Sequence, residues 1–249
     1  MEPDMLDEYG YDDNLSSMYE EYTNLIGRDT EAGEAAAFLE RFCIRGNALE
    51  LGIGNGRVAG PLSERGVRVE GIDNSDSMLK LLAERTYQVE AWKGDIANFS
   101  VEQVYDLVFC IYGTFTLLSN REDQIACLRS AAAALNKEGV LVIEIRVPVL
   151  GGFVNRQRIT ARLFDDKNTF VDTETHDPLN QTVTSTSLWF SGKSIRRWPQ
   201  RIRYVYHQEL DTMAECVGLE LAERWENWMR DGFTDTSERH ISVYRRASP

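Results

Sequence analysis

The 249-residue sequence predicts an α/β fold: a doubly wound, mostly parallel seven-stranded sheet with an antiparallel β insertion after the fifth strand. Three observations predict it. Short apolar runs alternate with helix-periodic segments up to residue 147, the βα repetition that builds parallel sheets. One of those runs, YDLVFCIY (105–112), is almost wholly apolar, as a strand covered on both faces should be. After Pro148 the pattern changes to several short β-rich runs separated by turn formers.

Each element has a local reason. Residues 31–43, EAGEAAAFLERFC, are Ala-rich and set Ala35, Phe38, Leu39 and Phe42 on one helical face. ALELGI (48–53) reads as the first strand. RVAGPLSERG (57–66) reads as a helix closed by glycine. VRVEGID (67–73) is the second strand. Ser75 is an N-cap for a helix over 75–85. YQVEAWKGD (87–95) and 105–112 are strands three and four, and 121–139 reads as a helix ending at Gly139. VLVIEIRV (140–147) is strand five. The runs within 158–206, separated by DDKN, HDPLN and SGK, form an antiparallel set; 208–218 returns to helix, and 219–228 and 240–246 close the sheet.

Composition narrows the function. The formal net charge of −13 opposes phosphate-backbone binding, which depends on clustered Lys and Arg, and it suits small-molecule chemistry. Cys43, Cys110, Cys127 and Cys216 form no C-x-x-C pair, and no His stands at ligand spacing from them, so free thiols are expected and no metal site. The acidic start MEPDMLDEYGYDD has no apolar h-region and no run of about 18 apolar residues follows, which predicts no signal peptide, no membrane partner and a cytoplasmic location.

The chemistry is carried by NALELGIGNG (47–56). Three glycines alternate at the end of the first parallel strand, facing the crevice where such sheets bind ligands. Bare backbone there lets a ligand approach closely. The dinucleotide fingerprint requires a glycine at position six; counting from Gly52, that position is Arg57, which weakens a nicotinamide reading.

The spacing instead resembles the first motif, E/D-x-G-x-G-x-G, of the class I S-adenosylmethionine-dependent methyltransferases, with their Rossmann-like sheet. It runs here from Glu50 through Gly52 and Gly54 to Gly56, with Asn55 between the last two glycines. The resemblance implies further contacts. Asp73, ending GID and followed by Asn74, stands where the family holds the ribose hydroxyls, with Met78 on the next helix. Asp95 stands where it holds the adenine amine, with Ile96 beside the ring and Ile111 at the end of strand four. LNKEGVLVIEI matches the usual turn into strand five, with Lys137-Glu138-Gly139 in place of the common Pro-Gly-Gly. Together the motifs cover about residues 45–147 and imply S-adenosylmethionine as cofactor and S-adenosylhomocysteine as product.

The acceptor is narrowed by what is missing. No [D/N/S]-P-P-[F/Y/W] follows strand four, no Pro-Cys dipeptide occurs, and no acidic metal set is evident, which disfavours DNA-amine, cytosine-C5 and metal-dependent catechol methylation. Residues 1–28 carry eight acidic groups and Tyr9, Tyr11, Tyr19 and Tyr22. This segment looks like the leading helix of bacterial natural-product N-methyltransferases, which implies a cover whose Tyr11 and Tyr19 close over the methionine end of the cofactor. The resemblance divides the chain into a helical lid (1–30), a cofactor-binding core (31–149 and 207–249) and a β-rich cap for the acceptor (150–206). Tyr112, Tyr19 and His207 are the catalytic candidates; Trp189 and Phe190 either line the acceptor cavity or form the core of the inserted sheet, while His176 reads as a solvated turn and His240 as structural. The expected reaction is in-line methyl transfer to a small-molecule or peptide acceptor, an amine ahead of a hydroxyl or activated carbon. A cyclase or cofactor-binding regulator on the same fold stays open, as does a homodimer.

Overall fold

The computed structural model describes residues 13–25 and 28–247. Two helices, α1 (Asp13–Leu25) and α2 (Arg28–Glu40), precede β1 (Asn47–Leu51), α3 (Ala59–Ser63), β2 (Arg68–Asp73), α4 (Asp76–Ala83), β3 (Val89–Lys93) and β4 (Tyr105–Cys110). A 3-10 turn (Thr114–Leu117), α5 (Arg121–Ala134) and β5 (Leu135–Arg146) follow. Then come β6 (Gln157–Leu163), β7 (Asn168–Asp177), β8 (Thr182–Ser191) and β9 (Ser194–Arg203). The chain closes with α6 (His207–Glu215), β10 (Leu219–Trp225) and β11 (Arg239–Arg246).

The principal sheet has seven strands in the order β10-β11-β5-β4-β1-β2-β3. β3, β2, β1, β4 and β5 run parallel, and β11 and β10 join antiparallel at one edge. The expected fold class holds, because the central strands must shed polar surface on both faces. β4 is buried throughout, sending Val108 and Cys110 into one core layer and Leu107 and Phe109 into the other. Connections leave β1 toward β2 on one side and reach β4 on the other, so the strand order reverses between β1 and β4. That switch point opens a crevice at the carboxyl ends of the strands.

One boundary differs from the sequence reading. The helix expected to end at Gly139 ends at Ala134, and Leu135 is already extended (φ −76°, ψ 138°). Arg246 donates to the carbonyls of Ala132 (2.6 Å) and Leu135 (2.9 Å), capping the helix end from β11. Gly139 lies within β5, where a Cβ would stand 2.7 Å from the Tyr105 carbonyl, so close strand approach and not helix closure explains that glycine.

β6 to β9 form a separate four-stranded antiparallel sheet in sequence order. Its register decides which side chains face the crevice: Phe170 opposes Trp189, and Asp172 opposes Ser187, which opposes Trp198. α1 sits against this inner face through a small core of Leu15, Met18, Phe170 and Trp189. The same helix reaches the principal domain through Ser16 Oγ to Ser77 Oγ (2.8 Å) and through Glu20, which accepts from Asn55 Nδ2 (3.1 Å) and pairs with Arg85. All four cysteines are free thiols.

Candidate active site

A cavity of about 800 Å³ lies at the switch point, roofed by α1 and the inner face of the second sheet. Its floor begins where β1 ends. Gly52 (φ +76°) and Gly54 (φ +54°) turn the chain through backbone conformations that side chains resist. A Cβ at Gly52 would stand 2.3 Å from Thr114 Cγ2, and one at Gly54 would stand 2.9 Å from Met78 Cε. The loop is fastened to the next strand: Gly52 and Ile53 both donate to the Ile72 carbonyl, and Gly54 N–H donates to Asp73 Oδ2 at 2.7 Å. Asp73 Oδ1 accepts from Ser75 N–H at 2.9 Å, and Ser75 caps α4 by accepting from Met78 N–H. One carboxylate thus joins the glycine loop to the β2–α4 turn.

The cavity brings together most of the residues singled out in the sequence. Glu50, Gly52, Gly54 and Asn55 line it from the first turn, and Asp73, Asn74 and Met78 from the second. Asp95 and Ile96 line it from the β3 side, Ile111 and Tyr112 from the end of β4, and Tyr19 from α1. Gly56 does not line it. Its φ of +75° and a Cβ position 2.4 Å from Leu82 Cδ1 make it a packing glycine beneath α4.

Other expectations are corrected. His207 is outside the cavity lining; it starts α6, and its ring packs on Phe233 (5.1 Å between centroids) and His240 (6.2 Å). The register of β8 explains why Trp189 and Phe190 are not walls. Trp189 is stacked on Phe170 in the α1 core, and Phe190, one residue on, faces the opposite side of the sheet. His176 lies in β7 and hydrogen-bonds Tyr204 Oη at 3.0 Å. Tyr11 lies outside the described residues.

Burial sets the electrostatics. Glu50 is buried, and its Oε2 has no hydrogen-bond partner among the described residues. Desolvation pushes its carboxyl well above the usual range, and the neighbouring Arg57 only partly opposes this. Burial also raises Asp73, against the backbone N–H groups that it accepts. The Tyr112 phenol is raised by burial, so it is a protonated hydroxyl at neutral pH. The Arg57 guanidinium lies 3.7 Å from the centroid of the Tyr112 ring.

Sequence reasoning did not single out the arginines of the roof. Arg158 and Arg162, with Tyr22, Phe170, Glu174 and Trp198, line the far half of the cavity. Arg158 forks onto Glu174 (2.6 and 3.0 Å), and Arg162 onto Asp172 (2.9 and 3.3 Å). The alternation in QRITARL carried the signal, since period two sets both arginines on one face. Which face meets the crevice is decided only by the packing of α1. Among the described residues no group of three or more His, Cys, Asp and Glu could hold a metal ion.

These residues fit S-adenosylmethionine. A bare glycine cradle that a Cβ would fill, Asp73 and Asp95 at adjacent strand ends, an apolar slot of Met78, Ile96 and Ile111, and an unsatisfied buried carboxylate oxygen on Glu50 match a ligand with a ribose diol, an adenine edge and an ammonium group. Comparison with known proteins agrees. A methyltransferase-domain family matches residues 48–139. The CcbJ methyltransferase of Streptomyces caelestis superposes with a TM-score of 0.88 at 34% identity, covering 96% of this chain and 98% of that one. The cypemycin N-terminal methyltransferase of a Streptomyces species is 27% identical over 204 residues, 80% of this chain and 82% of its own. The fold is shared with S-adenosylmethionine-bound CalS10, an amino pentose methyltransferase of Micromonospora echinaspora (TM-score 0.71, 21% identity, 92% and 97% covered). Fold, glycine loop and near full-length similarity converge: this chain belongs to the S-adenosylmethionine-dependent methyltransferase family.

Proposed function

We propose that this methyltransferase acts on an amine of a small molecule or peptide, and that the far half of the cavity holds the acceptor. The observation that carries this reading is the two-part cavity. Its near half is built of the glycine loop and strand-end carboxylates, and its far half of aromatic and forked Arg–carboxylate pairs on the inner face of the second sheet. The relative named for methylation at a peptide N-terminus supports the choice of nitrogen. S-adenosylmethionine supplies an electrophilic methyl on a sulfonium. The chain's part is alignment and exclusion of water. Asp73, Asp95, Gly52 and Gly54 hold the cofactor, joined by Glu50, Asn55, Asn74, Met78, Ile96 and Ile111. Tyr19 and Tyr112 wall the transfer site, and Tyr112, protonated at neutral pH, orients and does not accept a proton. An amine arriving as its free base needs no further base.

The division into lid (1–30), core (31–149 and 207–249) and acceptor cap (150–206) belongs to the same reading, with α1 and the first residues of α2 as the described part of the lid. The net charge of −13 supports an acceptor other than nucleic acid, and a cytoplasmic setting belongs to the same reading; no helix among the described residues is long and apolar enough to cross a membrane. A homodimer fits the outer face of the second sheet. There the rows Leu163–Thr169–Phe190–Ile195 and Ala161–Val171–Leu188–Arg197 hold no carboxylate, and Leu163 and Ile195 are 78% and 63% exposed. Two strongly acidic copies repel least across such a face. Sedimentation of the wild type against Leu163→Glu tests this: a dimer that the variant dissociates supports it, and a wild-type monomer rejects it.

Methyl-labelled cofactor with a panel of amino sugars, amino acids and short peptides tests the function. Label in an amine product is expected. Label confined to hydroxyl or carbon acceptors would redirect the reading to O- or C-transfer. Cofactor binding with no turnover would favour a regulator, and turnover without cofactor consumption a cyclase.

A further inference from the structure

We infer that Glu144 is a positioning residue for methyl transfer, acting through Tyr112. Tyr112 leaves β4 with φ +56°, one of the few non-glycine residues in the left-handed region, and it does so inside the cavity. A bulky residue there is strained and persists only where its surroundings over-determine it. The surroundings are Glu144. The parallel ladder between β4 and β5 ends at Cys110 and Ile143, so the next N–H groups of the turning chain need other acceptors. The Glu144 carboxylate Oε2 accepts from Tyr112 N–H, and its carbonyl accepts from Gly113 N–H at 3.2 Å.

Glu144 is itself held. Its side chain is 5% exposed, and Oε1 lies 3.8 Å from Arg239 Nη1, which also pairs with Glu31 of α2. The clamp therefore runs from α2 through Arg239 and Glu144 to the Tyr112 backbone. Its product is a phenol ring directed across the cavity beneath the Arg57 guanidinium. A carboxylate on β5 thus sets the wall against which the cofactor's methyl end and the acceptor meet. This inference rests on the methyltransferase reading and on Tyr112 bordering the transfer site.

The test compares Glu144→Ala and Glu144→Gln in the wild-type background and in Tyr112→Gly, which removes both the ring and the strain. Two quantities are read: affinity for S-adenosylhomocysteine by titration calorimetry, and the chemical shift of [methyl-13C]-S-adenosylmethionine bound to the protein. With Tyr112 present, Glu144→Ala is expected to weaken binding about tenfold, as a binding-competent conformation becomes a minor one. It should also move the methyl resonance toward its position in Tyr112→Gly. Glu144→Gln keeps an acceptor oxygen and should stay within about twofold of wild type. In Tyr112→Gly, Glu144→Ala should change neither quantity, because coupled residues are non-additive. Equal effects in both backgrounds, or a methyl resonance that Glu144→Ala leaves in place, overturn the inference. Should Glu144→Ala not fold, Glu144→Asp, whose carboxylate is withdrawn by one methylene, takes its place with the same expectations. Failure of the wild type to bind S-adenosylhomocysteine would instead reject the underlying cofactor reading.

Discussion

Replacing His240 with Phe should flatten the acid limb of the stability curve by a predictable amount. His240 is 1% exposed on β11; its Nδ1 bonds Ser242 Oγ at 2.8 Å, and its Nε2 has no partner among the described residues. Phe233 and His207 pack on the ring, and Arg224 of β10 adds positive potential, partly offset by Asp211 of α6. Burial first, then the Arg224 and His207 charges, lower the imidazole from 6.5 to about 3. A depressed His favours the neutral form in the fold, so its contribution is complete above about 6.5 and is lost progressively as pH falls toward about 3. Between about pH 7.5 and about pH 5.5 the loss is roughly RT ln 10 with the folded form still neutral, or about 1.4 kcal/mol. For a chain of this size that is about 3–6 °C in Tm. His207, also lowered by burial and Arg224, adds in the same direction. Urea or thermal unfolding of wild type and His240→Phe at the two pH values measures the difference. The variant should lose about 1.4 kcal/mol less than wild type over that interval. Parallel pH dependences for the two proteins would refute the reasoning, whatever their absolute stabilities.

Glu50→Gln should stabilise the apo protein at alkaline pH by about 1–2 kcal/mol while weakening cofactor binding, since an acid raised by burial costs stability once ionised. That gain should shrink as pH falls toward the unfolded value of 4.5, and a pH-independent difference in chemical unfolding would count against it. Gly52→Ala combines a φ of +76° with the 2.3 Å approach to Thr114 and should cut cofactor affinity at least about tenfold. Gly66→Ala, equally left-handed (φ +87°) with nothing within 4 Å, should cost about 1 kcal/mol in unfolding and leave affinity alone. Met18→Ala empties a fully buried position against the Phe170–Trp189 stack and should cost about 2–4 kcal/mol locally, read as faster hydrogen exchange across α1. Deleting residues 1–28 separates a lid from a structural helix. A lid predicts lost cofactor affinity with an unchanged apo melting temperature, whereas a fall of several degrees assigns the segment to stability.

The central sheet and the glycine loop were legible in the sequence because their determinants are local. Apolar runs of strand length, helix-periodic segments and three alternating glycines each declare themselves within about ten residues; it was the family resemblance that pointed to Asp73, Asp95 and Ile111, which the structure gathers around one crevice. Family resemblance added the cofactor. What failed depended on partners distant in the chain. α5 ends at Ala134 because Arg246, more than a hundred residues later, donates to the carbonyls of Ala132 and Leu135, and Gly139 answers to a strand carbonyl at Tyr105. His207 was a pocket candidate by its place after a strand, yet the turn into α6 carries it toward Phe233 and His240. In the second sheet the alternation was visible, but period two leaves the choice of face undetermined. Only the docking of α1 on Phe170 and Trp189 decided that Arg158 and Arg162 face the cavity while Phe190 faces away. Tyr112 shows the same division: the sequence placed it at the end of β4, and its left-handed backbone, held by Glu144 on the neighbouring strand, exists only once the two strands are paired.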